Sequence, residues 1–236
     1  MKLRPLRAFF QRVVEAQFRN STRKLVDSDA EQAVLEELID KAKLPVPAGF
    51  ERLHYLLYTP FRHPPLPHGS RFGTRTERGI LYGARDLPVA FAEVAYYRLL
   101  FLEGPREDLS PLTVELTSFS FGVRGRKVAD LRGEPRVSSK VSYQASQRRG
   151  RELREQGAQA CIYLSARSQP SADCIAVFDD VFDPRHPRGE RRWSCTATRA
   201  RVEFRSQELL GPDERCAFDR DQFEVAGRLP APGLDA

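Results

Sequence analysis

The sequence predicts an α+β fold carrying an N-terminal helical extension. Three observations lead there. Apolar residues recur at helical spacing through much of the first fifty positions and again after Asp86 and Ser142. Short runs rich in Ile, Val, Tyr and Phe lie between and beyond those helices. The two kinds of segment alternate without the regular rhythm of a parallel βαβ sheet. With 236 residues, 41% of them hydrophobic and 30% charged, the chain has material for a buried core.

Each element follows from local signals. Leu6, Phe9, Phe10, Val13, Val14 and Phe18 fit one face of a first helix. Ser28-Asp29-Ala30-Glu31 reads as a capping box ahead of Val34, Leu35, Leu38 and Ile39 on a second helix, and Pro45 and Pro47 close the extension, residues 1–47. A domain over 48–236 follows. Leu53 to Tyr58 reads as a strand, Thr59 to Pro67 as a proline-rich turn, and Ile80-Leu81-Tyr82 as a short strand. Asp86 caps a helix with Pro88 in its first turn, running to about Glu103. Strands are expected at 111–123 and 127–131, where the alternation changes phase near Thr117-Ser118 and implies a bulge or turn. A helix from Ser142 ends at Gly157. Cys161–Leu164 and Cys174–Phe178 read as a strand pair, with further strands near 200–204 and 222–225.

Composition excludes some functions and leaves others open. No stretch approaches the ~18 to 20 uncharged apolar residues of a membrane span, and the basic N-terminus lacks an unbroken apolar h-region. A soluble cytoplasmic protein is therefore expected. Lysine plus arginine number 38 against 32 acids, and only six of the 38 are lysine. Residues 207–236 carry a net −4, which leaves +10 on the first 206. That excess favours an anionic partner without choosing among nucleic acid, a phosphorylated small molecule and an acidic protein. Cys161, Cys174, Cys195 and Cys216 form no CxxC pair, and His54, His63, His68 and His186 form no HxxxH. No metal site is expected from such spacing, and free thiols are the simpler reading.

Several residues could carry chemistry. Glu93 sits mid-helix among Val89, Ala90, Tyr96 and Tyr97, with no cation one turn away. Such a carboxylate either reaches water at the helix border or is satisfied from elsewhere. Arg71 lies between Gly69 and Gly73, where the backbone can turn sharply or approach an anion. Tyr82 ends a short apolar strand, and Ser165 follows another; each has a plain structural reading as well. Arg148, Arg149, Arg151 and Arg154 form a basic cluster, but Arg148–Glu152 and Arg151–Glu155 are i,i+4 pairs of a solvated face. No aromatic residues interleave to stack bases, so direct nucleic-acid binding is not expected.

Together these residues resemble a known family. GSRFGTRTERGILYGARDLPVAFAEVAYYR looks like the signature of RES-domain toxins, named for an arginine, a glutamate and a serine. Arg71, Tyr82 and Glu93 fall at intervals of eleven, and IYLSAR places the serine at Ser165. The resemblance covers about residues 50–182; Ser168 to Asp173 stand where the family often has Gly-Gly-x-Asn.

The resemblance implies an ADP-ribosyltransferase-like mixed β core and degradation of NAD by phosphorolysis or hydrolysis. It implies NAD as substrate, inorganic phosphate as the co-substrate of the phosphorolytic route, and no prosthetic group. Glu93 would stabilise positive charge developing at the ribose. Arg71 would hold a phosphate, Tyr82 would contact the nicotinamide riboside, Ser165 would position the substrate, and Arg62 would offer a second anion contact. The implied partner is an Xre-type helix-turn-helix antitoxin, and a homodimer is compatible with all of this. Transfer of ADP-ribose to a protein would use the same residues, and a non-catalytic nucleic-acid-binding protein on the same fold is the rival from another class.

Overall fold

The chain enters the fold as a strand. A computed structural model describes residues 2–16, 25–42, 44–107, 109–208 and 212–233. β1 (Arg4–Glu15) pairs antiparallel with β3 (Leu112–Asp130), from Arg4 opposite Val128 to Glu15 opposite Leu116. The helix expected over these positions is thus a strand; Phe18 lies outside the described residues. The misreading has a physical cause. Leu6, Ala8, Phe10 and Val14 pack into one core cluster, whereas Val13 packs into others. A strand covered on both faces does not alternate cleanly, and its apolar residues mimic a helical repeat.

The second helix of the extension is present as α1 (Asp29–Ala42). Its amino end carries a capping box: Glu31 N donates to Ser28 Oγ at 3.2 Å, and the Glu31 carboxylate accepts Asp27 N at 2.9 Å. Residues expected as the first strand of the main domain instead form α2 (Tyr55–Arg62), capped by His54, whose ring accepts Leu56 N. Leu56, Leu57 and Phe61 are its buried residues, a helical spacing that a six-residue window does not reveal. β2 (Leu81–Ala84) and α3 (Leu87–Glu103) follow as expected, with Asp86 as N-cap and Pro88 in the first turn.

The two strands expected over 111–131 are one continuous strand, β3. Its pairing with β6 (Arg188–Ala197) is irregular between Ser118 and Ser120, where the sequence pattern changes phase. α4 (Gln144–Glu155) ends before Gly157, whose φ of +70° is the left-handed cap. β4 (Ala160–Leu164) and β5 (Asp173–Val177) form the expected antiparallel pair. β6, β7 (Arg201–Ser206) and β8 (Arg215–Asp219) make a meander. β6 escapes sequence reading because only Trp193, Cys195 and Ala197, in its second half, are buried in alternation. Near 222–225 there is no strand: Arg220–Phe223 is a 3-10 turn, and β8 lies just before it.

The α+β class holds: four helices surround a mixed sheet of eight strands among the described residues. This agrees with the ADP-ribosyltransferase-like core that the resemblance implies. Gln11 pairs with Ser120 of β3 and with Ala84 of β2. β2 pairs with β5, β5 with β4, and β4 runs parallel to the second half of β3, so the five strands close a ring. The β6–β8 meander extends from the first half of β3. α3 lies on this extension, its Phe91 stacked on Phe204 at 4.4 Å and edge-on to Trp193 at 4.8 Å. No helix among the described residues is long and apolar enough to cross a membrane.

Candidate functional site

The segment around Arg71 is a tight turn built on glycine. Gly69 has φ +71°, and a Cβ there would lie 2.2 Å from the Gly73 carbonyl oxygen. Ser70 N donates to Gly73 O at 2.7 Å, and the Tyr82 hydroxyl accepts Phe72 N at 3.0 Å and bonds Ser70 Oγ at 2.8 Å. The Tyr82 hydroxyl is thus occupied in shaping the turn, and it is the tyrosine's body that lines the site. Burial pushes this phenol well above its ordinary range, so it stays protonated.

Arg71 leaves the turn buried, with 6% of its surface exposed. Its Nη1 donates to the carbonyls of Val137 at 3.1 Å and Ser139 at 2.9 Å, and its guanidinium lies 5.0 Å from the Tyr143 ring centre. Burial opposes its charge, but Glu93 and the hydroxyls of Tyr163, Tyr143 and Tyr97 favour it, and the net shift is upward. Arg71 therefore remains a permanent cation in the site.

Glu93 projects from the middle of α3, and its partner comes from the far end of β4. Ser165 Oγ donates to Glu93 Oε1 at 2.7 Å and accepts the amides of Arg167 at 3.0 Å and Ser168 at 3.1 Å. One donor and two acceptors exhaust the hydroxyl. The buried Ser165 fixes one oxygen of a carboxylate that lines the cavity. The loop that replaces Gly-Gly-x-Asn is held by its own serines: Ser171 Oγ donates to Ser165 O at 2.8 Å, and Ser168 Oγ accepts Ala172 N at 3.3 Å.

These groups surround a cavity of about 480 Å³. Arg71, Tyr82 and Glu93 line it together with Ser70, Tyr163 and Cys174, and Ser165 stands behind Glu93. Burial holds the Cys174 thiol well above its usual range, which makes it a poor nucleophile. All four cysteines are free, as the spacing predicts. Arg62 is not brought to the cavity: at the end of α2, its Nε donates to the Leu44 carbonyl.

Arg12 of β1 lines the same cavity and was not singled out in the sequence. Its Nη1 donates to the Tyr82 carbonyl at 2.6 Å, while its buried Nε has no partner among the described residues. Burial pushes the guanidinium down to about 10, which leaves it charged at neutral pH. A buried, partly unsatisfied cation in a cleft calls for an anion. Nothing in the local sequence marks it among 32 arginines.

The basic face of α4 differs in detail from expectation. Arg149 pairs with Glu134 at 3.0 Å and Glu152 at 2.9 Å, and Arg154 pairs with Glu77 at 2.7 Å and donates to Phe72 O at 2.9 Å. Through Glu134 and Glu77 these arginines tie α4 to neighbouring segments, and Arg151, expected to pair with Glu155, lies 3.9 Å from Glu77.

The RES domain family model matches residues 46–197, a span that holds Arg71, Tyr82, Glu93 and Ser165. The chain belongs to the RES-domain family. No curated protein gives a significant match to it. RES-domain proteins are associated with NAD-acting enzymes and with toxin–antitoxin pairs. In this RES-domain protein, β1 and α1 precede the matched span and β7 and β8 follow it. The ring of strands and one wall of the cavity, Gln11 to Glu15, are therefore completed from outside the family's core.

Proposed function

We propose that this protein is a toxin that degrades NAD by cleaving the nicotinamide–ribose bond, with water or inorganic phosphate as acceptor. The observation that carries the reading is the Ser165–Glu93 bond beside a cavity that also holds Arg71 and Arg12. Besides the Arg98–Glu15 pair, it provides one oriented carboxylate and two cations in a partly enclosed site, a match to one oxocarbenium-like centre and a diphosphate.

When the glycosidic bond breaks, its electron pair leaves with the nicotinamide nitrogen, whose pyridinium charge is neutralised. Positive charge develops at the ribose anomeric carbon, and the free oxygen of Glu93 stabilises it while accepting from a ribose hydroxyl. A water or phosphate oxygen then bonds to that carbon. Water gives ADP-ribose and a proton released to solvent; phosphate gives ADP-ribose 1″-phosphate. Arg71 and Arg12 hold phosphate oxygens, and the protonated tyrosines Tyr82 and Tyr163 wall the nicotinamide riboside. A cognate Xre-type antitoxin would cover the mouth.

The test is incubation of the purified protein with NAD, with and without phosphate, followed by mass spectrometry. The expected result is nicotinamide release with ADP-ribose or its phosphorylated form. Intact NAD under both conditions refutes the reading; a mass increase of an added protein would point to ADP-ribose transfer.

A further inference from the structure

We infer that Tyr97 and Phe101 form the nucleobase end of the cleft and hold the purine of the substrate's adenylate half by stacking. The inference rests on the NAD-cleaving reading and assigns the part of the site that reading leaves open.

Glu93, Tyr97 and Phe101 recur every four residues on α3 and all line the cavity, so they form one stripe running outward from the carboxylate. Eight residues of helix rise about 12 Å, a reach suited to the diphosphate and second ribose of a dinucleotide whose anomeric carbon lies at Glu93. Arg12, a further cation of the cavity, stands on the β1 wall and suits that diphosphate.

The composition of α3 supports an occupant here. Apart from Glu93, Arg98 and Glu103 the helix is built of apolar and tyrosine side chains, and Val89, Phe91, Ala95, Leu99 and Leu102 are among those buried in the core. Yet Tyr97 is 50% exposed and Phe101 54% exposed on the cavity side. Large apolar side chains left open beside a polar site mark a surface that a ligand covers. The Tyr97 ring is already fixed, by a 2.9 Å bond between its hydroxyl and that of Tyr143 and by an edge-on contact with Tyr96 at 5.0 Å. Phe101 stacks on no other aromatic ring among the described residues and leaves about half of its surface open. A fixed aromatic beside a free one lets a flat base bind with little ordering of the protein.

ADP, titrated calorimetrically against inorganic phosphate as a control probe, tests the assignment without requiring turnover. Phe101→Ala is expected to weaken ADP on the order of 10-fold and leave phosphate affinity unchanged. Phe101→Trp should retain ADP affinity, and Phe101→Leu, apolar but not planar, should lose it. Unchanged ADP affinity in both Phe101→Ala and Tyr97→Ala, or a wild-type protein that does not bind ADP, would overturn the inference and leave the aromatic mouth to a protein partner. A wild type that binds ADP in this ring-dependent manner but leaves NAD intact would support the subsite and refute the cleavage reading.

Discussion

Ser165 Oγ donates to Glu93 Oε1 at 2.7 Å across 72 residues of sequence. Since the same hydroxyl also accepts two backbone amides, it has no capacity left to attack a substrate. In the proposed cleavage Ser165 would act through Glu93, as a positioning residue, and the carboxylate would be the group that meets the reacting carbon.

The two residues should therefore fail differently. Glu93→Gln retains an oxygen for Ser165, so its melting temperature should stay near wild type while NAD turnover falls on the order of 10²-fold or more. Ser165→Ala strands the buried amide of Arg167, at roughly 1–3 kcal/mol, and the half-buried amide of Ser168, and should lose stability as well as turnover. Turnover assays beside thermal melts decide it: a Glu93→Gln protein with wild-type turnover refutes the site.

Arg71 and Arg148 differ in place though not in charge. Arg71→Ala removes a buried cation of the cavity and frees the carbonyls of Val137 and Ser139. Arg148 is exposed on α4. NAD cleavage should fall about 10²-fold or more with the first and stay within twofold of wild type for Arg148→Ala. Equal losses would mean that the charge effect is diffuse.

What the sequence made legible was local chemistry. The bounds of α3 are read from Asp86 and Pro88, the end of α4 from Gly157, and the bulge in β3 from a change of alternation. The four signature residues are legible through their family order. Long-range satisfaction was not. Arg12 matters because its partner is the carbonyl of Tyr82, 70 residues away, and no side chain announces that bond. β1 hid as a helix because both its faces are covered, and α2 hid as a strand because its buried positions need more than one turn to show. The capture of Arg62 by a carbonyl in the preceding loop is likewise invisible without the fold.

Glycine 150 offers a test in which two effects oppose each other. In a helix, alanine is ordinarily better than glycine by about 1 kcal/mol. Here a Cβ would lie 2.0 Å from the Phe72 carbonyl oxygen, within the turn that carries Arg71. The clash should win, and Gly150→Ala should lower both melting temperature and NAD turnover. A stabilised, fully active variant would show that α4 does not press on the turn.

The same turn should show a particular acid sensitivity. Glu77 accepts Thr74 N at 2.6 Å and Arg154 Nη2 at 2.7 Å. Burial opposes its ionisation, but the Arg154 and Thr74 bonds outweigh it and hold the carboxyl below its ordinary 4.5. A depressed carboxyl adds stability that is complete above its unfolded value and is lost as pH falls through the folded one. Glu77→Gln should therefore lower stability by about 1–3 kcal/mol at pH 7, and the difference from wild type should shrink as pH falls below 4.5. Denaturant melts across that range check it; a difference independent of pH would assign the loss to packing.

An enzyme that drains NAD must be held off in its own cell. Arg71 is 6% exposed, so an inhibitor can reach it only through the cavity or must block the mouth. At that mouth Arg98 is paired with Glu15 at 2.5 Å, and Phe101 stands open. A partner with an apolar contact for Phe101 and acidic groups drawn by the +10 of residues 1–206 would fit there and associate quickly. Expression of the wild-type gene alone should arrest a bacterial host and deplete its NAD. Co-expression with a neighbouring antitoxin gene, or the change Glu93→Gln, should restore growth. Growth curves and intracellular NAD after induction supply the measurement. Normal growth and steady NAD with abundant, folded wild-type protein would count against the toxin reading; arrest by Glu93→Gln as well would show toxicity that does not depend on cleavage.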